Sequence, residues 1–142
     1  MKKKLTAVLA AALALSMLGG CTAAHPLPDG FDQDVVADAA QAVLADVIEG
    51  DYQAVLDAFR DDMVETYSVT TEMIQTIAED AQKDAGKYVS TEETLVLGGE
   101  SKEFKEPFAA VAIYCEYEDE DIIYEMSLDA NLELIGFSAK QK

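Results

Sequence analysis

The chain has 142 residues, half of them hydrophobic, and sets 28 Asp and Glu against 10 Lys and Arg for a formal charge of −18 at pH 7. So acidic a surface disfavours nucleic acid and anionic lipid headgroups as partners. Two cysteines and one histidine leave too few ligands for a His/Cys zinc site.

The chain opens on Lys2, Lys3 and Lys4, followed by an apolar run from Leu5 to Leu18 that is relieved only by Thr6 and Ser16. A membrane span needs about 20 apolar residues, so a charged start and a shorter run read as a secretory signal. The run ends in Leu18-Gly19-Gly20-Cys21, which resembles the lipobox of bacterial lipoproteins. That resemblance implies cleavage between Gly20 and Cys21 and lipidation of the Cys21 thiol. The protein is then expected outside the cytoplasm, lipid-anchored to the outer face of a bacterial membrane. One acyl chain binds membranes at only about 10⁴ M⁻¹, so a stable anchor takes a second.

The expected division is a signal peptide over 1–20, a lipidated N-terminus and linker over 21–31, and one domain over 32–142. Loss of residues 1–20 removes three lysines and no acid, leaving seven basic residues against 28 acidic ones and a formal charge of −21. With Cys21 lipidated, Cys115 has no intramolecular disulfide partner, and stability must come from packing. Residues 22–31 hold two of the three prolines and read as a linker that reaches at most about 33–36 Å.

Apolar residues recur at helical spacing from Asp32 to Ile48, and Gly50 and Asp51 suit a helix stop and the next N-cap. A second helix carries Val55, Leu56, Phe59 and Met63 on one face. A third, capped by Thr70 or Thr71 and ended by Gly86, carries Met73, Ile74, Ile77, Ala78 and Ala81. Four strands are expected after it, at about 88–97, 108–117, 122–128 and 132–139. In the middle hairpin a two- or four-residue turn pairs Tyr117 with Ile122, Cys115 with Tyr124, Ile113 with Met126 and Val111 with Leu128. Every such pair is apolar or aromatic, which marks the buried face. In the last hairpin, Leu132 and Leu134 compete with Ile135 and Phe137 for that face.

Three stretches carry a family resemblance: Val47-Ile48-Glu49-Gly50-Asp51-Tyr52, Val69-Thr70-Thr71-Glu72-Met73 with Gly86-Lys87-Tyr88, and the closing segment from Leu128 to Phe137. They resemble the helix junction, third-helix start and final hairpin of domain-of-unknown-function family 3887. That family includes bacterial lipoproteins and belongs to the nuclear-transport-factor-2-like (cystatin-like) superfamily. The implied fold is α+β, with three N-terminal helices packed on a curved antiparallel sheet of about four strands. Two departures stand out. Leu132 occupies a glycine position of the pattern, which leaves Asn131 to supply the left-handed turn residue, and the third helix lacks a tryptophan.

The chemistry-bearing residues form no catalytic or metal set. Asp129-x-Asn131-x-Glu133 starts like a calcium loop, but Leu134 replaces its glycine and Lys140 its closing glutamate. The acidic run Glu116–Asp121 reads as a solvated turn before it reads as a weak calcium site. His25 lies in the linker and leaves nucleophilic catalysis without a base, while Cys115, mid-strand on the buried face, reads as an inert thiol. No cofactor is expected. Tyr88, Tyr117 and Tyr124 mark a candidate pocket on the concave face. The expected role is a non-catalytic module that binds an envelope protein or small ligand there. One rival is a ketosteroid-isomerase-like acid–base enzyme with Asp51 or Asp57 near those tyrosines. Another is a weakly cation-binding acidic surface. A buried carboxylate beside a tyrosine in an open cleft would favour the enzyme; a filled core or a purely apolar mouth would favour binding.

Overall fold

The computed structural model describes residues 25–99, 101 and 104–142. Four helices precede four strands, α1 (Gln33–Glu49), α2 (Tyr52–Ala58), α3 (Asp61–Tyr67), α4 (Thr71–Gln82), β1 (Tyr88–Gly99), β2 (Phe108–Tyr117), β3 (Ile122–Leu128) and β4 (Leu134–Gln141). The strands form one open antiparallel sheet in the order β1-β2-β3-β4, and α1 and α4 pack on one of its faces. The fold is α+β and cone-like, as expected.

Local chemistry sets the helix ends. Asp32 Oδ1 accepts the amides of Asp34 and Val35 at 2.9 and 3.1 Å. At the other end of α1, Gly50 turns left-handed (φ 80°), and Asp51 N–H reaches back to Asp46 O at 2.8 Å. This Schellman closure satisfies carbonyls that a helix end leaves unpaired. Asp51 then caps α2 by accepting Ala54 N–H at 3.1 Å. Thr70, rather than Thr71, caps α4 through Met73 N–H. That helix ends at Gln82, four residues ahead of Gly86, because Lys83 leaves helical geometry.

The helix expected through Met63 is broken in two. Phe59 and Arg60 are extended (ψ 144° and 139°). Phe59 forms a parallel bridge with Leu134, and Arg60 N–H donates to Leu134 O at 2.9 Å. A pairing to the sheet outcompetes helix continuation at this step, and three expected helices become four.

The middle hairpin keeps its expected faces and changes its register. Cys115 lies opposite Ile122, Ile113 opposite Tyr124, Val111 opposite Met126 and Ala109 opposite Leu128, a slip of two residues. An even slip leaves every side chain on its original face. The cause is a competing partner for the end of β2. Tyr117 pairs with Tyr88, Glu118 N–H donates to Lys87 O, and Asp119 N–H donates to Ala85 O. The turn therefore widens beyond four residues.

In the last hairpin Leu134 goes inside together with Ile135 and Phe137, while Leu132 stays half-buried against the core. Leu134 lies opposite Leu128 and Gly136 opposite Ser127, so Ile135 is the extra residue of a β-bulge. The bulge shifts the phase of β4, and Leu134, Ile135 and Phe137 are all buried. The left-handed turn residue is Leu132 itself (φ 66°), not Asn131. Asp129 fixes that conformation, its Oδ1 accepting the amides of Asn131 and Glu133, both at 2.9 Å.

Candidate functional site

The three expected pocket tyrosines do come together, but they close the space between them. Tyr124 rises from β3 into the core, stacked at 6.4 Å on Phe137, and its hydroxyl accepts from Gln82 Nε2 at 3.0 Å. Tyr117 OH lies 2.7 Å from Tyr124 OH, and the Tyr88 ring meets Tyr117 edge-on at 5.7 Å. The Tyr88 hydroxyl bonds Thr91 Oγ1 at 2.8 Å. Tyr124 is fully buried and Tyr117 nearly so. Burial pushes the Tyr124 hydroxyl well above the usual phenol range, partly offset by Gln82, and raises Tyr117 as well. These are structural hydroxyls in a filled core.

Among the described residues no carboxylate is hydrogen-bonded to these hydroxyls. Asp51 is spent on the α2 cap, and Asp57 accepts from Gln53 Nε2 at 2.9 Å on the exposed side of α2. The buried carboxylates among the described residues are Glu125 and Asp129. Glu125 accepts from Ser138 Oγ at 3.1 Å and lies 3.6 Å from Lys140 Nζ.

Asp129 belongs to a cluster that sequence reasoning missed. Arg60, the chain's sole arginine, grips Asp62 through Nε and Nη2 at 2.7 and 3.0 Å. It takes Glu106 at 3.0 and 3.2 Å, and its Nη1 donates to Asp129 Oδ2 at 3.0 Å. The guanidinium also lies 5.4 Å from the Phe104 ring centre. The bond to Asp62, followed by those to Glu106 and Asp129, raises the Arg60 pKa against the opposing effect of desolvation. One signal was available: a lone arginine between Phe59 and the acidic pair Asp61-Asp62.

The acids of the run 116–121 are exposed, and one of them engages the backbone. Glu118 Oε1 accepts Lys87 N–H at 2.9 Å. Gly86, left-handed at φ 82°, lies so close that a Cβ there would meet Glu118 Cβ at 2.8 Å. Among the described residues no three His, Cys, Asp or Glu side chains gather as metal ligands do. Cys115 is buried, and desolvation pushes its thiol up to about 11 despite a hydrogen bond from Thr91. Gly20 and Cys21, the expected cleavage and lipidation positions, lie outside the described residues. No helix among the described residues is long and apolar enough to cross a membrane.

An apolar opening lies elsewhere, at the β4 flank. Phe59, Met63 and Tyr67 on one side, Met73 and Ile77 of α4, and Ile135 and Phe137 of β4 frame a cleft of about 30 Å³. No charged side chain lines it. The break between α2 and α3 creates one wall and the β4 bulge the other, so neither helical nor strand periodicity reveals it.

The sequence has no significant match among curated proteins. The fold is similar to that of a protein from Ruminococcus gnavus ATCC 29149 solved by NMR, with a TM-score of 0.66 and 22% identity over 81% of this chain and 96% of that one. The family described as "Protein of unknown function (DUF3887)" matches residues 40–137, from within α1 into β4. Since that span is well over half of the molecule and holds the helix junction, the α4 start and the closing hairpin, the chain belongs to the DUF3887 family.

Proposed function

We propose that this protein is a lipid-anchored, extracytoplasmic module of the nuclear-transport-factor-2-like plan that binds an envelope protein without catalysing a reaction. The anchor reading rests on Lys2–Lys4, the apolar run and Leu18-Gly19-Gly20-Cys21. The binding reading rests on one observation, the apolar cleft between α3, α4 and β4. A volume of about 30 Å³ admits one small apolar group, far less than the roughly 150 Å³ that holds a benzene-sized ligand. That scale suits a single side chain of a protein partner, with Met63 and Met73 able to repack around it. Acid–base catalysis has no comparable support, because the tyrosine hydroxyls are tied to Gln82, Thr91 and each other.

A photoreactive benzoylphenylalanine placed at Tyr67, on the cleft wall, tests the reading in intact cells. One discrete protein adduct is expected, and Met73→Lys should abolish it while the far-ultraviolet spectrum stays native. No adduct, or one indifferent to Met73→Lys, would count against the cleft as the binding surface. Separately, Cys21→Ala should move the protein out of the membrane fraction.

A further inference from the structure

The segment expected to be a free linker is docked from His25 onward. Gly98 N–H donates to His25 O at 2.8 Å. Gly98 is buried, and a Cβ there would run into the Pro26 carbonyl, so the missing side chain is what lets the segment lie against β1. Leu27 and Phe31 pack against the core, and Phe31 N–H closes a turn onto Pro28 O. Four residue steps then separate Cys21 from the folded body, at most about 14 Å of extended chain.

The sheet has two distinct ends. Gly99 pairs with Phe108, Ala109 with Leu128, and Leu128 with Leu134 at one; Tyr88 pairs with Tyr117, Cys115 with Ile122, and Ile122 with Gln141 at the other. The strand from Gly98 back to Tyr88 spans roughly 30 Å at about 3.3 Å per residue. The docked segment joins the first end, and a tether of about 14 Å cannot span an inverted domain about 30 Å long.

We propose that the domain stands on its membrane in one orientation, with the Gly98 end of the sheet and Lys105 facing the lipid and the Glu118–Asp121 turn facing outward. This rests on the lipid-anchor reading and goes beyond it: the tether selects which surfaces a partner can reach.

Energy transfer from a dye on the lipidated, full mature chain to an acceptor lipid in phosphatidylcholine vesicles tests it. The dye is placed on Lys105→Cys, in the loop before Phe108, or on Glu120→Cys at the opposite turn. The buried Cys115 thiol stays unlabelled in the folded protein. Transfer from position 105 should exceed that from position 120 at least about twofold, given ends roughly 30 Å apart. Gly98→Val, which displaces the docked segment, should shrink that ratio towards one. A flexible Gly/Ser insert of six residues between Ala24 and His25 should do the same without touching the fold, and it decides the matter if Gly98→Val misfolds. Equal or reversed transfer in the unaltered chain, or a ratio unmoved by the insert, overturns the orientation. Vesicle binding that survives Cys21→Ala overturns the anchor reading instead, so the two failures are told apart.

Discussion

Leu132 holds a backbone conformation that L-residues avoid, at a cost of roughly 1–2 kcal/mol. It is kept there by the two amides bonded to Asp129 Oδ1 and by its own half-buried packing against the core. The family pattern has glycine at this position, and the φ of 66° explains why. Leu132→Ala loses the packing and keeps the strain, whereas Leu132→Gly loses the same packing and sheds the strain. The glycine variant should therefore be the more stable of the two by about 1 kcal/mol in urea unfolding. An alanine variant equal to or better than glycine would show that the turn is not left-handed in solution. The sequence pointed to the right neighbourhood here and to the wrong residue. Asn tolerates the left-handed region best, but the Asx turn of Asp129 places the bend one position later.

At the scale of elements, Arg60 joins three pieces that are distant in sequence. Its amide ties the α2–α3 break to β4, and its guanidinium holds the β3–β4 turn through Asp129 and the β1–β2 loop through Glu106. Asp129 has a side chain only 3% exposed, so removal of its cation leaves a buried charge unpaired. Arg60→Ala should destabilise the domain by about 2–4 kcal/mol. Asp62→Ala and Glu106→Ala should each weaken it far less, because those carboxylates are mostly exposed. Urea denaturation of the three variants checks the order, and a harmless Arg60→Ala would remove the hub from the account. The same elements show what periodicity can and cannot reveal. The helical stripes, the cap at Asp51, the cap at Thr70 or Thr71, and the faces of β2 and β3 follow from spacing. The break at Phe59, the two-residue slip and the β4 bulge do not, because each is decided by a partner far along the chain.

For the whole molecule, the buried hydroxyls and thiol make stability depend on alkaline pH. Their folded pKa values lie above the unfolded ones, about 11 for Cys115 and higher than usual for Tyr117 and Tyr124. The folded state therefore holds protons that the unfolded chain gives up. Stability from this source is full below about pH 8.5, declines as the unfolded thiol ionises, and falls faster above about pH 10 as unfolded tyrosines follow. The slope approaches about 1.4 kcal/mol per pH unit for each withheld proton. Thermal melts from pH 7 to 11 should show this decline, and it should be shallower above about pH 10 in a Tyr117→Phe, Tyr124→Phe double variant. A decline of the same steepness in the double variant would mean that the cluster is open to water. In the orientation inferred above, the apolar cleft, bordered by Phe59 and Ile135 near the Gly98 end, would meet its partner close to the lipid.

The sequence by itself determined the α+β order, the strand positions to within a few residues, the buried faces and the family pattern, and it supplied the basis for expecting an anchor at Cys21. Those features depend on short-range physics: residue period, capping chemistry, turn residues and the length of an apolar run. Only the tertiary structure decided that the tyrosines fill their pocket, that Arg60 and Asp129 lock the helices to the last hairpin, and that residues 25–31 lie docked instead of free. Each of these is settled by groups that meet across the fold, where backbone donors and buried charges must find partners that no local pattern names.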